Sequence, residues 1–205
     1  MNYRNYSNTP YDMIVSVGVN WEIGENGGLA IQNPEDMKFF RTMTMGTTVI
    51  MGRKTAESLP HKKPLEGRIN IVVSKKPGAA DPLKKNGFKI ADSIESACIM
   101  AQNVRSMLSH KERIMIIGGA SIYQQCMKYC RFAYITKTYA ANEYADTYFP
   151  VIDLHENYDV VMRSEKRKIN GFPSHQFFVY QNKSLIKMKQ LQMKAFHISK
   201  DDSIV

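Results

Sequence analysis

The chain has 205 residues, 43% of them hydrophobic, which suits one folded domain and excludes a disordered chain. Its formal net charge of +9 fits anionic small molecules, a nucleic acid, or solubility alone. The basic residues are scattered with no aromatic-rich basic stripe, which argues against nucleic acid, and no apolar run approaches the roughly 20 residues that cross a bilayer.

Residues 1–12 are polar, lack a signal-peptide core, and read as a flexible leader of a cytoplasmic protein. Residues 13–19 form a short, β-branched, buried strand, followed by a Gly-rich loop over 23–29. Asn33 suits an N-cap and Pro34 a first helical position, so a helix is predicted over 33–45. A strand over 47–51 ends at Gly52, and a short helix runs from Lys54 or Thr55 to Leu59. Residues 60–67 are a polar loop before a strand at 68–74. After a short strand at 87–90, Ser93 caps a helix reaching Met107. Residues 114–117 are a buried strand broken by Gly118-Gly119, then a helix covers 120–130 and a strand 132–139. Strands at 158–162 and 176–180 form an antiparallel edge hairpin.

This alternation predicts an α/β fold. The expected form is a doubly wound, mostly parallel eight-stranded sheet with an antiparallel C-terminal edge strand and about four flanking helices. The domain is assigned to 13–182, with 183–205 a basic extension. Cys98, Cys126 and Cys130 have no Cys-x-x-Cys spacing or obvious zinc partners and read as buried thiols of a reducing compartment, with no metal site. His61 and His175 fall in expected loops and His155 near a turn, each solvated.

Asp36 is the leading candidate for chemistry. On the predicted helix it shares a face with Met37 and Phe40, and a carboxylate among apolar neighbours tends to have a raised pKa and can hold a cationic or amidine-like group. The plainer alternative is an acid answering the helix dipole. Two strand ends share another design. Gly52-Arg53-Lys54-Thr55 and Gly118-Gly119-Ala120-Ser121 each join a buried strand to a helix through glycine. Such ends attract anions, and two together suit a dinucleotide. Neither matches Gly-x-Gly-x-x-Gly or the Walker pattern.

Taken in order, residues 23–29, 34–41, 49–55, 65–68, 117–123 and 146–150 resemble dihydrofolate reductases, over roughly 13–181. The resemblance implies NADPH-dependent reduction of 7,8-dihydrofolate to tetrahydrofolate in one-carbon metabolism, by a protein expected to be monomeric. It implies that Asp36 binds the pterin edge with support from Thr136. Ile14, Met37, Phe40, Leu59, Leu65, Ile117 and Tyr123 would line the substrate site, and Arg68 would grip the glutamate carboxylate. Ser16, Ile23, Gly28, Leu29, Gly52, Arg53, Lys54, Thr55, Ser74, Lys75, Gly118, Gly119, Ala120, Ser121, Ile122 and Tyr123 would bind the cofactor. Two departures stand out. Ala30-Ile31 replaces the usual Pro-Trp, and Ala56 a frequent tryptophan. A same-fold reductase of the flavin pathway and a degenerate binding protein are the alternatives.

Overall fold

The structure, a computed structural model, describes residues 11–107 and 113–184. Its main sheet has eight strands in the order β10-β11-β8-β1-β7-β4-β5-β6. These are β1 (Tyr11–Val17), β4 (Thr48–Gly52), β5 (Ile69–Val73), β6 (Lys89–Ala91), β7 (Ile114–Ile116), β8 (Phe132–Thr138), β10 (Tyr158–Arg163) and β11 (His175–Asn182). All pairings from β8 to β6 are parallel, whereas β11 runs antiparallel to both β8 and β10, giving the expected hairpin at one edge.

Both faces of the central strands are covered, so their side chains alternate between two cores. Met13, Val15, Val17, Ile50, Ile71, Ile114 and Ile116 point to one, against α4 (Ile94–Met107) and α5 (Ala120–Cys126). Ile14, Val49, Met51, Val72 and Met115 point to the other. There they meet Phe39, Phe40 and Met43 of α1 (Pro34–Thr44), Ala56 of α2 (Arg53–Ser58) and Leu83 of α3 (Asp81–Lys85). The helix starts follow their sequence signals. Asn33 Oδ1 accepts from the amides of Glu35 at 3.0 Å and Asp36 at 3.4 Å, and Ser93 Oγ accepts from Ser96 at 3.1 Å.

Several elements differ from expectation. There are six α-helices among the described residues rather than four, because α3 and α6 (Val151–Asn157) are too short to show a stripe. The Gly-rich loop folds into β2 (Glu22–Glu25) and β3 (Gly28–Leu29), joined by Asn26-Gly27 with φ of 47° and 81°. That is the left-handed turn Asn-Gly favours in two-residue hairpins. With β9 (Thr147–Tyr148) these strands form a second, three-stranded sheet. The predicted leader ends too late, since β1 begins at Tyr11. Asp12 there is fully buried, receiving Arg131 Nη2 at 3.2 Å and the Phe132 amide at 3.2 Å. Burial raises its carboxyl pKa despite both arginines, Arg131 and Arg113, that pull it down. Of the extension, Lys183 is described and reaches Asp159 at 3.4 Å; residues 185–205 lie outside the described range.

Candidate active site

The parallel strands bring the C-terminal ends of β1, β4, β7 and β8 to one edge, where open α/β sheets bind ligands. Asp36, in the first turn of α1, is 7% exposed. Burial raises its carboxyl pKa above the ordinary aspartate range, while Thr136, Ser16 and the His175 imidazole pull it back down. Ser16 and Thr136 are register partners on β1 and β8, which puts both hydroxyls beside the carboxylate. Thr136 Oγ1 has no partner at hydrogen-bonding distance, so its influence is that of a nearby dipole and not of a formed bond.

The expected apolar wall largely assembles. Ile14 and Ile117 lie in the core on the α1 side of the sheet, and Phe40, Leu59 and Leu65 pack against it. Met37 does not join them; it is 52% exposed, because the face α1 buries runs through Asp36, Phe39, Phe40 and Met43. Leu65 and Arg68 are held by a residue the sequence reading passed over. Asn70 is buried in the apolar β5; its Oδ1 accepts from the Leu65 amide, and its Nδ2 donates to the Leu65 and Arg68 carbonyls, each at 2.9 Å. A lone amide inside an apolar strand was the available signal. Arg68 donates from Nη1 to Thr44 Oγ1 and from Nε to the Glu66 carbonyl, each at 3.0 Å. Partial burial and the nearby Arg41 guanidinium lower its pKa, the mark of two cations awaiting an anion.

The two glycine junctions meet as adjacent strand ends, with the Gly52 amide donating to the Gly118 carbonyl at 2.7 Å. Gly118-Gly119 is a cis peptide, and Gly118 has a φ of 100°. A Cβ on Gly118 would lie 2.7 Å from the Tyr123 ring, and one on Gly52 3.1 Å from Ile122. Tyr123 itself is buried beneath this turn, its hydroxyl donating to the Ile14 carbonyl at 2.7 Å. Gly119 caps α5 and Gly52 caps α2, each without a side-chain cap. Thr55 Oγ1 would lie 3.5 Å from a Cβ on Gly119. Ala120 is half-buried, Ser121 exposed and Ile122 buried; Ser74 follows the end of β5, with Lys75 exposed beyond it. Arg53 Nη1 pairs with Glu57 one turn on, at 2.6 Å. Lys54 remains exposed.

The β2–β3 hairpin follows the C-terminal end of β1 and pairs with β9, with Ile23 buried and Gly28 and Leu29 exposed. Asn142 fastens it. Its amide donates to Glu22 Oε1 at 3.2 Å, and its Nδ2 donates to Glu25 Oε2 at 2.8 Å and to the Ala30 carbonyl at 2.7 Å. Asp146 Oδ2 accepts from the Asn26 amide at 2.8 Å. Desolvation would raise the Glu22 carboxyl, but amides of its own residue, Asn142 and Asn20 outweigh it and hold the pKa low. Ile31 packs against Gly18, where an added Cβ would come within 2.9 Å of Ile31 Cδ1.

Elsewhere, Cys98, Cys126 and Cys130 are free thiols; burial pushes Cys126 up to about 12 and Cys130 well above its ordinary value, so neither is a ready nucleophile. No group of His, Cys, Asp and Glu side chains suited to a metal occurs among the described residues. No helix among them is long and apolar enough to cross a membrane. His61 is exposed in a turn and His155 lies on α6 against Trp21, but His175 is not in a solvated loop. It opens β11 and is fully buried, because its backbone pairs with Thr138 on one side and Arg167 on the other.

Comparison with known proteins accords with this arrangement. Residues 11–182 match the family model described as dihydrofolate reductase. The chain is 35% identical over 162 residues to the dihydrofolate reductase of Buchnera aphidicola subsp. Acyrthosiphon pisum, covering 78% of this chain and 92% of that protein. It is 32% identical over 153 residues to the bifunctional dihydrofolate reductase-thymidylate synthase of Glycine max, which is 70% of this chain and 28% of that longer protein. Among solved structures, dihydrofolate reductase from Enterococcus faecalis complexed with NADP(H) and RAB-propyl has the same fold. The TM-score is 0.71 at 24% identity, covering 84% of this chain and 96% of that one.

Proposed function

Because this chain belongs to the dihydrofolate reductase family, we propose that it catalyses the NADPH-dependent reduction of 7,8-dihydrofolate to 5,6,7,8-tetrahydrofolate. The observation that carries the reading is the buried, proton-avid carboxyl of Asp36 at the sheet edge, beside two hydroxyls and an apolar wall. Such a group binds the amidine-like edge of a pterin with charge-assisted bonds and orients the ring. A negative charge there also favours protonation of the reacting ring nitrogen, the proton arriving through water. Ile14, Phe40, Leu59, Leu65 and Ile117 enclose the flat ring and exclude solvent, while Met37 guards the open side. Arg68, with Arg41 nearby, takes the glutamate carboxylate.

The residues at the glycine junctions fit a phosphorylated dinucleotide. Side chains on Gly52 or Gly118 would fill the cradle, and Lys54, Thr55, Ser74 and Lys75 offer donors around it. Arg53 joins them with its nitrogens not held by Glu57, and this density of cations favours NADP over NAD. Gly119, Ala120, Ser121 and Ile122 would follow the pyrophosphate, Tyr123 supports the turn from beneath, and Ser16 would lie by the nicotinamide. When bound, the cofactor supplies the hydride. Ile23, Gly28 and Leu29 belong to the hairpin that would shut the site from water.

The free thiols suit a reducing cytoplasm, and every group invoked comes from one chain, so a monomer suffices. The test is spectrophotometric oxidation of NADPH by dihydrofolate, with inhibition by a diaminopyrimidine antifolate. Asp36→Asn is expected to lower turnover at neutral pH by about 10²–10⁴. Near-parental turnover by this variant would remove the role assigned to the carboxylate.

A further inference from the structure

Asp36 is not the only acid in its turn. Glu35 points the other way along α1 and meets His175, its Oε2 lying 2.8 Å from the imidazole Nε2. The pair joins two segments 140 residues apart, the first turn of α1 and the first residue of β11. The imidazole is fully buried, whereas the Glu35 side chain is 36% exposed. Phe177, two residues along β11, braces both sides of this joint. Its ring packs on Phe39 of α1 at 4.7 Å between centroids and edge-on to His175 at 5.3 Å.

The other ring nitrogen has a distinctive setting. His175 Nδ1 is buried without a partner, and so are Thr136 Oγ1, Thr138 Oγ1 and Asn33 Nδ2. These are neighbours by construction. His175 is the register partner of Thr138, Thr136 lies two residues along the same face of β8, and Asn33 caps the turn above. Unpaired buried polar atoms are costly. The Asp36 carboxylate, in the turn that Asn33 caps, feels the imidazole electrostatically.

We propose that the Glu35–His175 pair is a positioning device for Asp36, clamping the acid turn of α1 to the sheet and placing an imidazole behind the catalytic carboxylate. With Nε2 directed at Glu35, the charge that the ring carries when protonated is balanced on one side by Glu35 and felt on the other by Asp36. The 164–167 segment pairs alongside β11 and carries Glu165, Lys166 and Arg167. Arg167 there pairs through its backbone and holds its guanidinium 6.0 Å from the Phe177 ring. The adjoining β8 positions offer only the hydroxyls of Thr136 and Thr138. His175 thus deepens the proposed reductase reading, on which this inference rests, by explaining how an acid beneath the pterin stays both buried and oriented.

Two variants of the full chain test the proposal. His175→Gln keeps a hydrogen-bond donor toward Glu35 but can carry no charge. The midpoint of the Asp36 carboxyl, followed by ¹³C NMR against pH, should rise by about half a unit or more. Glu35→Gln alters a partly exposed side chain and spares the fold. Its affinity for a diaminopyrimidine antifolate, which presents a cationic edge to Asp36, should weaken roughly fivefold or more, with NADPH affinity kept. The proposal is overturned if folded His175→Gln titrates Asp36 where the parent does, or if Glu35→Gln binds both ligands as the parent does. Equal weakening toward both ligands would mark a mere scaffold and also overturn it. Should His175→Gln fail to fold, Glu35→Gln decides. A parent that binds neither ligand would instead defeat the reductase reading, leaving the carboxyl titration as the independent measure of the pair.

Discussion

Burial gives Asp36 a higher proton affinity in the folded chain than in the unfolded one, so the folded state binds more protons between the ordinary aspartate range and the raised value. Stability contributed by this group therefore falls as pH rises through that window, and at pH 7 the ionised carboxylate opposes folding. Asp36→Asn should accordingly stabilise the ligand-free protein at pH 7 and raise its Tm. The gain should vanish below the ordinary aspartate range, where both proteins are neutral at this position. Differential scanning calorimetry at the two pH values checks it; a loss of stability at pH 7 would contradict the assigned cause. Much of this residue's setting was legible, since Asn33, Pro34 and the spacing to Phe40 announce a capped helix with an acid on its inner face. Met37 stands exposed because one step of helical rotation separates it from the face that α1 packs on the sheet, a rotation that the sheet sets. His175 was invisible for a stronger reason: a histidine after Pro173-Ser174 looks like a loop residue until two distant segments pair with its backbone.

At the level of elements, the β2–β3 hairpin is tied to a distant part of the chain by Asn142, beside Asp146 and β9. Asn142 makes three bonds to Glu22, Glu25 and Ala30, two of them through its side chain. Asn142→Ala removes those two, together with the bond its Oδ1 accepts from the Tyr144 amide, and should loosen the hairpin without replacing a pterin or dinucleotide residue. The expected loss is about 1–2 kcal/mol of closure, or roughly 5–30-fold in kcat/KM, with little change in thermal stability. Steady-state kinetics beside a melting curve measure both; unchanged kcat/KM would show that closure does not rest on this latch. The parallel strands and α1 could be read from local pattern because their apolar runs and caps are self-contained. Asn26-Gly27 carried the hairpin's signal too, yet the adjoining strands are so short that they leave no alternating pattern, and β2 gains a second partner only from the distant β9. The same holds for α3 and α6, whose single buried leucines, Leu83 and Leu154, leave no periodic trace.

Across the whole molecule, the +9 charge has a use consistent with the proposed ligands, both of which are anions. Attraction of this kind acts over a screening length that shrinks from about 30 Å at 0.01 M salt to about 8 Å at 0.15 M. The association rate of NADPH should therefore fall by about tenfold across that range, with the dissociation rate nearly constant. Stopped-flow binding measures it, and a salt-independent association rate would mean the surplus charge serves solubility alone. The fold class was readable because alternating strands and helices leave few alternatives, but strand order was not, since pairing partners are chosen by crossovers that local pattern does not encode. One pairing has a consequence for biogenesis. β1, the first strand among the described residues, lies between β7 and β8, and these partners do not exist until translation has reached residues 114 and 132. A growing polypeptide must hold that apolar ribbon unpaired until β7 and β8 emerge, so the nascent chain is a natural client for ribosome-associated holdases.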